Sequence, residues 1–143
     1  MTADSKGLDE AKAAIVAAFA RSPVFRTFGF RDVAVLDDGS VTAVMPLSAA
    51  SERREGSNQF HGGPIATFID TIGDLAVGFA VGGGVPTINL RVDFLKPALG
   101  PELAAVARVR RLGRSLAVAD IDVTDGTGSL VAIGRGSFGT RPA

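Results

Sequence analysis

The stretch Gly63-Pro64-Ile65-Ala66-Thr67-Phe68-Ile69-Asp70-Thr71-Ile72-Gly73-Asp74-Leu75-Ala76-Val77-Gly78-Phe79-Ala80-Val81 decides the fold. Its polar residues, Thr67, Asp70, Thr71 and Asp74, stand at i, i+3, i+4 and i+7, which is one stripe of a helix. Everything else is apolar or small, including Ala66, Gly73, Ala76 and Gly78. Pro64 suits a first helical turn, where its missing N–H has no intrahelical partner, and Gly82-Gly83-Gly84 is a strong stop. A helix this apolar must be covered on most sides, with one narrow polar edge left open. Asp70 and Asp74 interrupt the apolar run, so it reads as a core helix rather than a membrane span.

Downstream, the chain reads as strands. Residues Thr87–Lys96 alternate, with Ile88, Leu90, Val92 and Phe94 on one face and Thr87, Asn89, Arg91 and Asp93 on the other. Pro97 ends that run. Strands over Leu103–Leu112 and Ser115–Thr124 flank Gly113-Arg114, a two-residue hairpin loop. Asp125-Gly126-Thr127-Gly128 makes the next turn, and Leu130–Phe138 is the last strand. Upstream, Leu8, Ala11, Ile15, Ala18 and Phe19 recur at helical spacing, which predicts a helix from Leu8 to Ala20 that ends at Pro23. Residues Phe30–Leu36 and Val41–Pro46 form a hairpin around Asp37-Asp38-Gly39. Ser48 to Gln59 is a polar loop. Short connections favour antiparallel pairing. The expected architecture is α+β: an antiparallel sheet of five to six strands around one long central helix, with an N-terminal helix.

The 143 residues fit a single domain (1–143), with residues 1–27 as a helical N-terminal extension. Fifteen basic and fifteen acidic residues balance, so no field draws the chain to nucleic acid or to an anionic membrane. Hydrophobic residues at 46% argue against disorder. No cysteine is present, which removes disulfides, thiolate ligands and a cysteine nucleophile. With one histidine in addition, no ordinary metal site is expected. The start Met1-Thr2-Ala3-Asp4-Ser5-Lys6 lacks the pattern of a signal sequence, so a cytoplasmic protein is the expectation.

The chemistry concentrates where the central helix begins. Gly62 and Gly63 allow a ligand to approach the unpaired backbone N–H groups of the first turn. Those donors lie at the positive end of the helix dipole and suit an oxyanion. Asp70 follows about two turns later, an unusual place for an ionisable group in an apolar helix.

The run His61-Gly62-Gly63 followed by Asp70, with the strand Thr87-Ile88-Asn89-Leu90-Arg91-Val92-Asp93-Phe94-Leu95-Lys96 ending at Pro97-Ala98, resembles the hotdog-fold acyl-CoA thioesterases of the phenylacetate-pathway (PaaI) type. The similarity covers roughly residues 28 to 138. It implies a curved sheet around the helix, a homodimer or a dimer-of-dimers homotetramer, and active sites between subunits. It also implies hydrolysis of aromatic or short-to-medium acyl-CoA to the acid and coenzyme A, with no cofactor beyond the substrate's own coenzyme A. Asp70 then corresponds to the general base or nucleophile, Gly62 to the oxyanion donor and Thr87 to a hydroxyl holding the attacking water. The plain alternatives are a solvent-facing aspartate, a turn glycine and an ordinary strand threonine. His61 either touches substrate or orders its loop, beside Gly63 and Phe60. Relatives carry Asn or Gln six residues before the histidine; here that position is Glu55, so Asn58 is the candidate for the role. Arg114, with Arg110 and Arg111, is the candidate contact for the coenzyme A phosphates. Asp74 supports Asp70, repels it or faces solvent. The rival functions on this fold are a non-catalytic acyl-CoA sensor and a hydratase or dehydratase.

Overall fold

Residues 3–143 are described by the computed structural model. They run α1 (Ala3–Ala20), α2 (Pro23–Phe28), β1 (Arg31–Val35), β2 (Val41–Pro46), α3 (Gly62–Val81), β3 (Thr87–Phe94), β4 (Glu102–Leu112), β5 (Leu116–Asp125) and β6 (Leu130–Gly139). The six strands form one curved antiparallel sheet in the order β1-β2-β4-β5-β6-β3. Helix α3 lies along its concave face, as the α+β expectation required.

The buried positions of α3 follow its apolar faces: Ile65, Phe68, Ile69, Ile72, Leu75, Ala76 and Val77. They meet Leu103, Ile121, Val123 and Phe138 from the sheet, all fully buried. Small residues bring helix and sheet close. A Cβ on Gly73 would sit 2.9 Å from the Phe138 ring, and one on Gly134 would sit 2.3 Å from Ile69 Cγ2. Helix α1 lies against α3, where its Phe19 ring reaches Gly78 and Gly84.

Three local expectations shift. Helix α1 starts at Ala3 rather than Leu8, because Asp4 in the first turn complements the helix dipole without contributing to apolar periodicity. Pro23 both ends α1 and opens α2 as its first residue, with Ser22 capping the Val24 N–H at 3.3 Å. The β4–β5 turn is displaced by one residue. Gly113 N–H donates to the Leu116 carbonyl at 2.9 Å, so the two loop residues are Arg114-Ser115 rather than Gly113-Arg114.

The fourth correction matters for function. On β3, Thr87 pairs with Phe138 and Asn89 with Ser137. Two steps on β3 oppose one on β6, so Ile88 is the extra residue of a β-bulge. Directly opposed residues share a face, and Phe138 points into the core. Thr87 therefore lies on the helix side with Leu90, Val92 and Phe94, and not with Asn89, Arg91 and Asp93 as simple alternation predicts.

Replacing Gly134 with Ala places a methyl group inside the van der Waals radius of Ile69 and should destabilise the fold by about 1–3 kcal/mol through overpacking. Urea unfolding measures this; a loss below about 0.5 kcal/mol would contradict the close helix–sheet contact.

Candidate active site

The start of α3 is held by His61, its N-cap residue. His61 Nδ1 accepts the Gly63 N–H at 3.0 Å, and His61 N–H donates to the Ser51 carbonyl at 2.8 Å. An unprotonated Nδ1 places the ring hydrogen of neutral His61 on Nε2. This changes the expectation for the glycine pair. The Gly63 N–H is occupied by the histidine, whereas the Gly62 N–H, at the first helical position, finds no acceptor among the described residues. Of the two glycines, only Gly62 keeps an N–H without an acceptor among the described residues. A Cβ there would lie 3.2 Å from Phe94 Cζ, so glycine also keeps space between the donor and that ring.

Gly62 opens into a groove of about 370 Å³ that also includes Phe60, His61, Phe94, Arg53 and Lys96. Phe60 is 2% exposed and is chiefly core, whereas Phe94 is 54% exposed. Arg53 and Lys96 were not singled out from the sequence. Arg53 sits in the polar loop and Lys96 just past β3, and only the folded chain brings these two cations to one groove. Lys96 Nζ lies 3.8 Å from Asp125 Oδ2. Arg114 is elsewhere, at the β4–β5 tip, where its carbonyl accepts the Thr140 hydroxyl at 2.7 Å. Arg110 pairs with Asp120 at 3.5 Å.

Asn58 has a left-handed backbone, φ 55°. Its N–H donates to Glu52 Oε1 at 2.9 Å and its carbonyl accepts the Gly100 N–H at 3.1 Å. That conformation is one asparagine tolerates better than most residues. The exposed Asn58 side chain does not line the groove at Gly62, and Glu55 is likewise exposed.

The polar stripe of α3 divides by residue type. Thr67 and Thr71 turn back onto their own helix, donating to the Gly63 and Thr67 carbonyls at 3.1 and 2.7 Å. The two aspartates reach outward. Asp70 Oδ1 accepts the Thr87 hydroxyl at 2.7 Å, and Asp74 Oδ1 accepts the Val85 N–H at 2.9 Å. The β-bulge at Ile88 is what turns Thr87 toward Asp70. Both aspartates border an open cavity of about 410 Å³, lined also by Thr71, by Ala18, Phe19, Ser22 and Val24 of the N-terminal segment and by Gly84. No cation lines it.

Removal from water in that cavity pushes the Asp74 carboxyl up to about 6; the Val85 N–H opposes the shift and the charge of Asp70 adds to it. The folded state therefore binds this proton more tightly than the unfolded chain. The benefit of neutral Asp74 is complete below its ordinary value of 3.8 and is lost as pH rises toward about 6. Asp74→Asn keeps an acceptor for Val85 and removes the titration. The Tm of this variant relative to the natural chain should rise between about pH 4 and pH 7; a difference independent of pH would contradict the burial of Asp74.

The profile of the thioesterase superfamily matches residues 58–132, from the loop before α3 into β6. A candidate esterase of Halobacterium salinarum is 40% identical over 122 residues, 76% of this chain and 80% of that protein. The acyl-coenzyme A thioesterase PaaI of Escherichia coli is 31% identical over 106 residues, 73% of this chain and 74% of that protein. The crystal structure of zebrafish thioesterase superfamily member 2 superimposes with a TM-score of 0.76 at 27% identity, covering 94% of this chain and 98% of the other.

Proposed function

Because this chain belongs to the thioesterase superfamily and is a thioester hydrolase with a PaaI-like hotdog fold, we propose that it hydrolyses acyl-CoA, with Asp70 as general base and Gly62 as oxyanion donor. The observation that carries the proposal is the 2.7 Å hydrogen bond from Thr87 Oγ1 to Asp70 Oδ1. The Thr87 hydroxyl donates its hydrogen bond to Oδ1, which leaves Oδ2 and the Thr87 lone pairs to hold one water. That water loses a proton to Asp70 Oδ2 as its oxygen bonds to the thioester carbon. Negative charge gathers on the carbonyl oxygen, where the Gly62 N–H donates. The C–S bond then breaks and Asp70 returns the proton to the departing sulfur. One water is consumed, and the acid and coenzyme A leave. Direct attack by Asp70 is the less favoured route, because Thr87 supplies a second anchor suited to water.

One chain carries only half of such a site. Asp70 lies eight residues beyond Gly62 on α3, about 12 Å of helical rise. Both groups must come within about 3 Å of one reacting carbonyl. The sheet edge resolves this. Strand β3 is an edge strand, yet Ile88, Phe94 and Leu95 on and beside it are 63%, 54% and 50% exposed, an edge that favours cover by another strand. Antiparallel pairing of β3 with β3 of a second copy sets the Phe94 end of one against the Thr87 end of the other. Phe94 packs on Gly62 and Thr87 holds Asp70, so Gly62 of one copy would face Asp70 of the other. We therefore assign a homodimer as the functional unit, with further pairing into a tetramer open to it.

The half-exposed Phe94 beside Gly62 suits an aromatic or short-to-medium acyl group. Arg53 and Lys96 in the same groove suit the coenzyme A phosphates. Arg114 lies at the Thr87 end of β3, a position from which it would serve the second copy's groove. A sensor role is disfavoured because a carboxylate with a hydroxyl partner is a hydrolytic device that binding alone does not require.

Asp70→Asn should lower kcat by about 10²–10⁴-fold with KM little changed, and Thr87→Ala should lower it by a smaller factor. Release of free thiol from hexanoyl-CoA and benzoyl-CoA measures both. Natural turnover in the Asp70→Asn protein would overturn the assignment.

A further inference from the structure

The proposed chemistry uses Asp70 and Thr87 but leaves Asp74 without a task, although both carboxylates border the same cavity. Asp74 stands one turn beyond Asp70 on the same polar edge. It binds Val85 N–H while Asp70 binds the Thr87 hydroxyl two residues later. The two aspartates thus hold alternate residues, Val85 in the segment that joins α3 to β3 and Thr87 at the first position of β3 itself. That segment, Gly82-Gly83-Gly84-Val85-Pro86, opens with three glycines, the residues with the most backbone freedom to lose. Backbone bonds hold four of its residues: Gly82 and Gly83 N–H donate to the Gly78 carbonyl, Ala143 N–H to the Gly84 carbonyl and Gly139 N–H to the Pro86 carbonyl. Among the described residues, Asp74 supplies the only side-chain hydrogen bond into it. It ties Val85, two residues before Thr87, to the helix carrying Asp70.

We propose that Asp74 is a positioning residue: by anchoring Val85 to α3 it holds the Thr87 hydroxyl on Asp70. This rests on the reading of Asp70 and Thr87 as the hydrolytic pair. The surroundings agree with a structural anchor rather than a second reactive acid. The groups that share the cavity with Asp74 are Ala18, Phe19, Ser22, Val24, Thr71 and Gly84, and Asp70 is the one other charged group lining it. Asn at this position would accept the same bond, so the role needs an acceptor oxygen and not a charge.

The test is a double-mutant cycle with hexanoyl-CoA and benzoyl-CoA as probes, alongside amide exchange of Val85. Asp74→Ala should lower kcat about tenfold with KM within about twofold, and Asp74→Asn should stay within about threefold of the natural chain. In a Thr87→Ala background, Asp74→Ala should cost less than about twofold more, because residues acting through one another are not additive. Val85 amide protection should fall in Asp74→Ala and survive in Asp74→Asn, while amides of the α3 core stay protected in both. Full additivity in the cycle, equal damage from Ala and Asn, or an unchanged Val85 amide in Asp74→Ala would each overturn the proposal. If Thr87→Ala and Asp70→Asn turn over normally, the hydrolytic reading fails instead, and the Val85 exchange still decides whether Asp74 anchors the connection.

Discussion

Helix α3 approaches β5 and β6 so closely that no side chain fits at Gly134, where a Cβ would meet Ile69 at 2.3 Å, nor comfortably at Gly73 beneath Phe138. That contact fixes the rotation of the helix about its own axis. With Phe68, Ile69, Ile72, Leu75 and Val77 turned into the sheet, the stripe Thr67-Asp70-Thr71-Asp74 can only lie along the remaining edge. The same rotation points Asp70 at the start of β3 and leaves Gly62 beside its end. The positions of Asp70 and Gly62, the proposed base and oxyanion donor, are thus consequences of core packing, and a helix allowed to roll would lose both.

The polar groups along that edge are sorted by reach. Threonine hydroxyls satisfy themselves on the preceding turn, as such side chains commonly do inside helices. The aspartate carboxylates have no hydrogen to donate to those carbonyls and extend to donors at the connection between α3 and β3. The connection in turn delivers Thr87. At the other end His61 takes one of the two glycine N–H groups and leaves the other, so the helix start is both capped and open. In the proposed reading each end holds one component of a thioester site, and the separation between them is what calls for a second copy of the chain.

Much of this was legible in the sequence. The stripe on α3, the proline at its start and the triple glycine at its end rest on 3.6-residue periodicity and on local backbone chemistry, which sequence records directly. The hairpin at Asp37-Asp38-Gly39 was legible for the same reason; Gly39 has φ 80° there. What escaped was register. The β-bulge at Ile88 leaves no mark in an alternating run, yet it moves Thr87 to the face where Asp70 waits. The tip of the β4–β5 hairpin shifted by one residue because Gly113 attracted the turn in the reading while the strand pairing placed it at Arg114-Ser115. Arg53 and Lys96 also escaped: they are 43 residues apart in the chain, and only the loop that returns to Gly62 brings them together. The capping role of His61 was open from sequence, because a lone histidine before a helix serves as a ligand contact or a cap with equal ease.

The central claim is that Gly62 and Asp70 act together only across two copies of the chain. Mixed oligomers test it most directly. One copy carries Asp70→Asn and the other Gly62→Pro, which removes the N–H at a position where proline is compatible with a helix start. Each homo-oligomer should be nearly inactive. Mixed dimers, isolated with two different affinity tags, contain one site with both defects and one with neither, and should recover about half of natural turnover. A mixed dimer as inactive as its parents would contradict the account, since it would place both groups in the site of a single chain.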